Sequence, residues 1–129
     1  MIVIDASAVV ELLLQRPLAP AVEARLRVGA LHAPHLLSVE AAHAIRGKVM
    51  VGEVTPDRGT LAVGALAALA VVRHPHELLL PAIWRLRSNL TAYDAAYVAL
   101  AEVLEVPLVT LDARIARAPG HGAQVDLIS

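Results

Sequence analysis

Two short stretches, "MIVI" at 1–4 and "PLVTL" at 107–111, constrain the fold more than anything else in the chain. Each is a brief, nearly continuous apolar run, the signature of a strand buried on both faces rather than one with a wet side. Each is followed at once by an aspartate, Asp5 and Asp112. Helical patterns fill most of the distance between them. "SAVVELLLQ" (7–15) and "PAVEARLRVGA" (20–30) are separated by Pro17 and Pro20, and a longer pattern covers 36–52. Thr55, Pro56 and Asp57 form a helix start, with a cap, a proline in the first turn and an acid behind it, for a helix running to about Leu69. "LPAIWRLRSN" (80–89), "TAYDAAYVALAEVLE" (91–105) and "DARIARA" predict three more helices. "LHAPH", "VVRH" (71–74) and "AQVDLI" (123–128) predict further short strands. Strands alternating with helices imply an α/β fold, a mainly parallel sheet covered on both faces.

With 129 residues the chain reads as a single domain, 1–129, able to bury roughly two-thirds of its unfolded surface. Hydrophobic residues make up 57%, and Trp84, Tyr93 and Tyr97 are the only aromatics among Phe, Trp and Tyr, so the core is aliphatic. A formal net charge of -1 argues against a polycation that grips nucleic acid by bulk electrostatics, but not against one that meets phosphates through metal ions. Cysteine is absent, which removes disulfides, thiolate nucleophiles and cysteine-zinc sites. "MIVID" reaches a carboxylate without a basic leader, so no signal peptide is expected. The longest apolar run, 61–72, is shorter than the ~20 residues a membrane span needs. A cytoplasmic location is the resulting expectation.

Ligands of open parallel sheets bind beyond the carboxyl ends of the strands, near a switch in strand order. Asp5 and Asp112 both stand at such an end, although each also reads as the cap of the helix that follows. Glu40 is placed by helical rotation among Leu36, Leu37, Ala44, Gly47 and Val51, in the middle of an expected apolar stripe. A carboxylate there must be protonated, paired with an arginine or bound to a metal. Asp94 follows Thr91 by three residues, the spacing of a capping box. It also flanks the stripe of Tyr93, Tyr97, Leu100 and Leu104, from which it can point along the sheet's carboxyl edge. Glu102, about opposite that stripe, reads as a solvated charge. If the four acids Asp5, Glu40, Asp94 and Asp112 converge, their repulsion demands a counter-charge. With oxygen ligands only, Mg²⁺ or Mn²⁺ is the natural one.

The same residues carry a resemblance. "MIVIDASAVVELLL", "LLSVEAAHAI", "LTAYDAAYVALAE" and "VPLVTLDARIA", in this order, resemble the PIN-domain ribonucleases, and among them the VapC-type toxins of toxin–antitoxin pairs. The resemblance implies a three-layer α/β/α sandwich and a metal-dependent endoribonuclease with Asp5, Glu40, Asp94 and Asp112 around Mg²⁺ or Mn²⁺. It also implies a homodimer and a small cognate antitoxin whose tail blocks the acidic pocket. Ser7 and Thr110, in the D-x-S and T-x-D positions, would hold the acids by hydrogen bonds. Many relatives carry a further acid shortly after the fourth; here Arg114, Ile115, Ala116 and Arg117 follow, which counts against a filled second metal position.

Ten of the eleven basic residues are arginines, and Arg46, Arg114 and Arg117 lie near the acids in sequence, as contacts for an RNA backbone or simply as solubilising charges. His74 and His76 in "RHPHE" are a two-ligand zinc pattern without a third ligand. Neither a P-loop nor a GxGxxG occurs. Two other functions fit parts of the pattern: a doubly wound phosphoryl-transfer domain using Asp5 as nucleophile, and a non-catalytic module whose acidic pocket grips a basic tail.

Overall fold

The computed structural model describes all 129 residues as one five-stranded, entirely parallel sheet with helices on both sides. Strand β1 (Ile2–Ile4) is followed by α1 (Ala6–Leu13) and α2 (Ala19–Leu26), then β2 (Leu31–Pro34). Helices α3 (Leu36–Met50) and α4 (Pro56–Ala68) lead to β3 (Val71–His74). A 3-10 turn (Glu77–Leu79), α5 (Leu80–Arg85) and α6 (Ala92–Leu104) return the chain to β4 (Leu108–Thr110). Helix α7 (Ala113–Arg117) and β5 (Val125–Leu127) complete it. The sheet order is β3-β2-β1-β4-β5.

That order sets the position of the site. From β1 the chain works outward through β2 to β3, then crosses back to the other side of β1 and continues outward through β4 to β5. Parallel crossovers are right-handed, so reversing direction moves the helices to the opposite face. Helices α1 to α4 pack together, while α5 and α6 pack together with α6 lying on β1, β2 and β4. The result is a three-layer α/β/α sandwich. Its switch point lies between β1 and β4, the two strands read most directly from the sequence.

Burial follows strand position. The inner strands β1, β2 and β4 are buried at every residue, whereas the edge strands β3 and β5 are only partly so. Helix α6 is largely interior, with every residue from Ala95 through Ala101 buried. Its alanines allow it to lie close to the sheet, and Tyr97 is its one large polar-tipped side chain in the core. Gly59 explains how α3 and α4 approach each other: a Cβ there would stand 2.8 Å from Val49. Helix ends are fixed locally. Thr55 accepts the Arg58 N–H and Thr91 the Asp94 N–H, while Gln15 and Glu105 adopt left-handed φ of 54° just beyond α1 and α6. The helix expected over 80–89 is shorter, ending at Arg85, with a 3-10 turn before it instead of residues after it.

Candidate active site

The register of β1 against β4 pairs Ile4 with Val109, so the next residues, Asp5 and Thr110, are neighbours where both strands end. The Thr110 hydroxyl donates to Asp5 Oδ2 at 2.5 Å and accepts the Asp112 N–H at 2.9 Å. Ser7 donates to Asp5 Oδ1 at 2.6 Å and accepts the Leu111 N–H at 3.0 Å. Asp5 Oδ1 also accepts the Ala8 N–H at 3.1 Å, capping α1. Two hydroxyls thereby tie the ends of both strands to one carboxylate. The D-x-S and T-x-D spacings have this geometric reason: each hydroxyl must donate to Asp5 and accept a backbone N–H from the β4 exit.

Asp5 is only 4% exposed. Burial pushes its carboxyl above the ordinary range, an effect opposed by the Ser7, Thr110 and Ala8 hydrogen bonds and reinforced by Asp112. A carboxylate offers about four lone-pair sites. Three donors are accounted for, which leaves room for one further interaction, on Oδ2.

Glu40 lies on the second turn of α3, at the carboxyl end of β2. The buried stripe of this helix is Leu37, Ala41 and Ile45. Glu40 therefore flanks the stripe rather than standing in its middle, and Gly47 and Val51 are exposed. No arginine pairs with it. Its partner is Tyr97, whose hydroxyl donates to Glu40 Oε1 at 3.0 Å from across the sheet edge. Burial raises the Glu40 carboxyl, the Tyr97 bond lowers it, and repulsion from Asp94 and Asp5 raises it again. Tyr97 itself is pushed far above its usual range by burial and by Glu40, so it is a permanent donor.

Asp94, on the first turn of α6, is half-buried; burial and then Asp112 raise its carboxyl, with Arg114 and Thr91 pulling it down. Asp112 differs from the other three. It caps α7 through the Arg114 N–H at 2.9 Å and takes the Arg114 guanidinium on both oxygens, at 3.1 and 2.7 Å. Those hydrogen bonds hold its carboxyl below the ordinary range despite partial burial.

The four acids thus feel one another's charge: Asp112 raises the carboxyls of Asp5 and Asp94, and Asp94 and Asp5 raise that of Glu40, which links them in a circuit of repulsion. Among them only Asp112 belongs to a salt bridge. No three acidic or histidine side chains close into a ready-made cage. This spread suits Mg²⁺-like ions, which keep several waters and take only one or two carboxylates directly. An all-carboxylate donor set also fits a hard dication better than zinc or copper. By contrast, Asp5 as a phosphoryl acceptor is disfavoured by its burial and by the three donors already on it.

Other expected residues fall elsewhere. Arg46 is exposed on α3 and lines a groove against α4, and Arg117 is exposed on α7; of the three arginines only Arg114 touches an acid. The reading of Glu102 as a solvated charge is corrected: a single Arg85 nitrogen, Nη2, donates to both Glu102 oxygens, at 2.9 and 3.1 Å, and the carboxylate accepts the Gly122 N–H at 3.3 Å. Tyr93 does not share the buried stripe of α6; it is 65% exposed. His74 and His76 serve the scaffold. His74 Nε2 lies 2.9 Å from His32 Nδ1, and His76 Nε2 accepts the Leu36 N–H at 2.9 Å. The hydroxyl of Tyr97 was missed altogether. A lone tyrosine on a largely interior helix is the available signal, because a buried phenol needs a polar partner.

Comparison with known proteins agrees with the fold. The PIN domain family model matches residues 2–121. Ribonuclease VapC12 of Mycobacterium tuberculosis is 43% identical over 129 residues, covering 100% of both chains. Ribonuclease VapC1 of the same organism is 43% identical, covering 98% of this chain and 96% of its own. Among solved structures, PAE2754 from Pyrobaculum aerophilum superposes with a TM-score of 0.68 at 25% identity, over 98% of this chain and 83% of that one. The sarcin-ricin-loop-cleaving toxin VapC20 of M. tuberculosis gives 0.69 at 10% identity, over 90% and 93%, a likeness of fold alone. The chain belongs to the PIN-domain family and, within it, to the VapC-type branch.

Proposed function

We propose that this chain is a metal-dependent endoribonuclease, the toxin half of a toxin–antitoxin pair, hydrolysing RNA phosphodiester bonds at the crevice between β1 and β4. The observation that carries the reading is the circuit of four carboxylates at the switch point, with a single arginine as its internal counter-charge. Asp5, Asp94 and Asp112 are the ligands for Mg²⁺ or Mn²⁺, directly or through water, and Glu40 completes the set.

A bound dication would supply positive charge to the scissile phosphate and make a water more acidic. The protein's part is positioning. Ser7 and Thr110 fix the Asp5 carboxylate so that only one lone pair on Oδ2 remains to be used. Tyr97 holds Glu40 Oε1, leaving Oε2 to orient the attacking water and receive its proton. Arg114 sits at the exposed rim, where its guanidinium can leave Asp112 for a phosphate oxygen of the RNA, a bidentate exchange for which arginine is suited.

The partners proposed are RNA, a small antitoxin protein and a second copy of the chain. An open apolar groove of about 420 Å³ between α3 and α4, walled by Ile45, Val49 and Val63, supports a protein partner. No helix is long and apolar enough to cross a membrane, which fits the proposed cytoplasmic site of action. Purified protein carrying Asp5→Asn or Asp94→Asn tests the site: RNA cleavage is lost with the circular dichroism spectrum unchanged, and titration with Mn²⁺ releases less heat. Undiminished cleavage by either variant refutes it.

A further inference from the structure

Beside the acids, α3 and α6 enclose a recess of about 400 Å³ lined by Leu36, Val39, Glu40, His43 and Tyr93. Its two apolar walls stand in solvent, Val39 at 76% exposure and Tyr93 at 65%. Neither residue contributes to the core. Tyr97, one helical turn beyond Tyr93, shows the contrast: it is 1% exposed and its hydroxyl is spent on Glu40. Glu40 belongs to both places, as a wall of the recess and as a member of the acid circuit. Asp94 is the neighbour of Tyr93 in sequence. A group seated in the recess is therefore next to the acid crevice.

An acidic crevice on a chain of formal net charge -1 repels the backbone it has to cut. Beyond a bound dication and Arg114, binding can draw on something uncharged. Single-stranded RNA provides it, because unpaired bases splay out and stack on aromatic faces, and every base has such a face. The recess has one aromatic wall, one aliphatic wall and, in His43, a ring with a donor and an acceptor nitrogen suited to a base edge. Its size lies within the range of pockets that take small planar ligands. We propose that this recess is a nucleobase subsite, in which Tyr93 stacks on the base of a nucleotide flanking the scissile phosphate. The proposal rests on the acid crevice being the place of cleavage.

The test uses the full-length protein with Asp5→Asn, so that RNA persists, and a short single-stranded RNA carrying 2-aminopurine at alternate positions, in Mg²⁺. Stacking on Tyr93 quenches the fluorescence. Adding Tyr93→Phe preserves the quench, and adding Tyr93→Ala abolishes it and weakens binding about tenfold. In the cleavage-competent protein Tyr93→Ala raises KM about tenfold and changes kcat little. Four results overturn the subsite: no quench with Tyr93 present, binding unaltered by Tyr93→Ala, Tyr93→Phe as defective as Tyr93→Ala, or a change of oligomeric state in Tyr93→Ala, which would make this face a contact between subunits. Failure of the acid crevice itself reads differently: Asp5→Asn would cleave at the parental rate, whatever Tyr93 does.

Discussion

Asp5 and Asp112 hold equivalent places, each at the carboxyl end of an inner strand and each capping the helix that follows. Their electrostatics are opposite. Asp5 is buried, is held by two hydroxyls and a backbone N–H, and has its carboxyl pushed up. Asp112 is partly open, is gripped by Arg114 and has its carboxyl pulled down. Capping alone explains neither departure, because a cap needs one oxygen and one N–H. The surrounding chain decides: Asp5 sees neutral donors that orient without neutralising, whereas Asp112 sees an exposed cation. One end of the crevice is a fixed anchor and the other an exchangeable rim.

Replacing the anchor is the severest way to break that comparison. Loss of a partner one shell out from a metal costs about 10–100-fold in affinity or activity, so Asp5→Asn should exceed ~100-fold in RNA cleavage. The fold should survive. The amide oxygen can keep the Ser7 and Ala8 donors, and the amide N–H₂ can donate to Thr110 once that hydroxyl rotates. Removing a buried charge should leave the metal-free melting temperature at neutral pH equal to or above the parent's. A lower value would mean that the charged form of Asp5 stabilises the fold.

Tyr97→Phe comes next, with a loss of cleavage of about 10–100-fold because Glu40 keeps its place but loses its orienting donor. The stability cost is about 0.5–1.5 kcal/mol, that of one hydrogen bond, readable by urea denaturation. Equal activity would show that Glu40 needs no fixed orientation. At the rim, Arg114→Ala should act with the opposite sign on metal binding. Freed from its guanidinium, Asp112 should bind Mn²⁺ a few-fold more tightly by calorimetry, while RNA binding weakens. If metal affinity falls instead, Arg114 is positioning Asp112 rather than competing for it.

The difference also sets the pH dependence of the metal-free protein. Asp5, Glu40 and Asp94 have folded-state carboxyls raised above their ordinary values of 3.8, 4.5 and 3.8. The folded state therefore binds protons more tightly than the unfolded chain. The stability from this is full below those values and is lost as pH rises through the raised folded ones. Asp112 runs the other way: its contribution is present above 3.8 and is lost only as pH falls through its lowered folded value. In EDTA, melting temperature should thus fall from mildly acidic toward neutral pH, and saturating Mn²⁺ should flatten the slope. A rise over the same interval would contradict the raised values.

Much of this was legible in the sequence, for local reasons. Runs such as "MIVI" and "PLVTL" are buried on both faces because they are inner strands, and an acid directly after such a strand can only stand at its carboxyl end. The parallel sheet and the caps at Thr55 and Thr91 were readable on the same grounds. What was not legible depends on orientation between distant elements. A small offset in the helical face moved Glu40 from the middle of the α3 stripe to its edge. The Tyr97–Glu40 bond joins residues 57 apart in sequence, and no local pattern encodes which way a phenol points. The His32–His74 contact depends in the same way on the neighbouring register of β2 and β3.

Glu102 sharpens the comparison at its weakest point, since an arginine also lies on both its oxygens, through one nitrogen where Asp112 takes two, and it has no acidic neighbours in the crevice. Arg85 binds both its oxygens and also donates to the Gly120 carbonyl, tying α6 to α5 and to the turn before β5. The Arg85 side chain is about half exposed, so the pair is worth little, on the order of 0.2–1 kcal/mol. Glu102→Gln should therefore lower stability by no more than that in urea denaturation, and should leave cleavage and Mn²⁺ affinity at parental levels. If it altered metal affinity as much as Arg114→Ala does, the effect at the rim would come from surface charge in general. With no such change, an arginine contact alone does not set the metal affinity, and what distinguishes Asp112 is the set of carboxylates around it together with the two-nitrogen grip of Arg114.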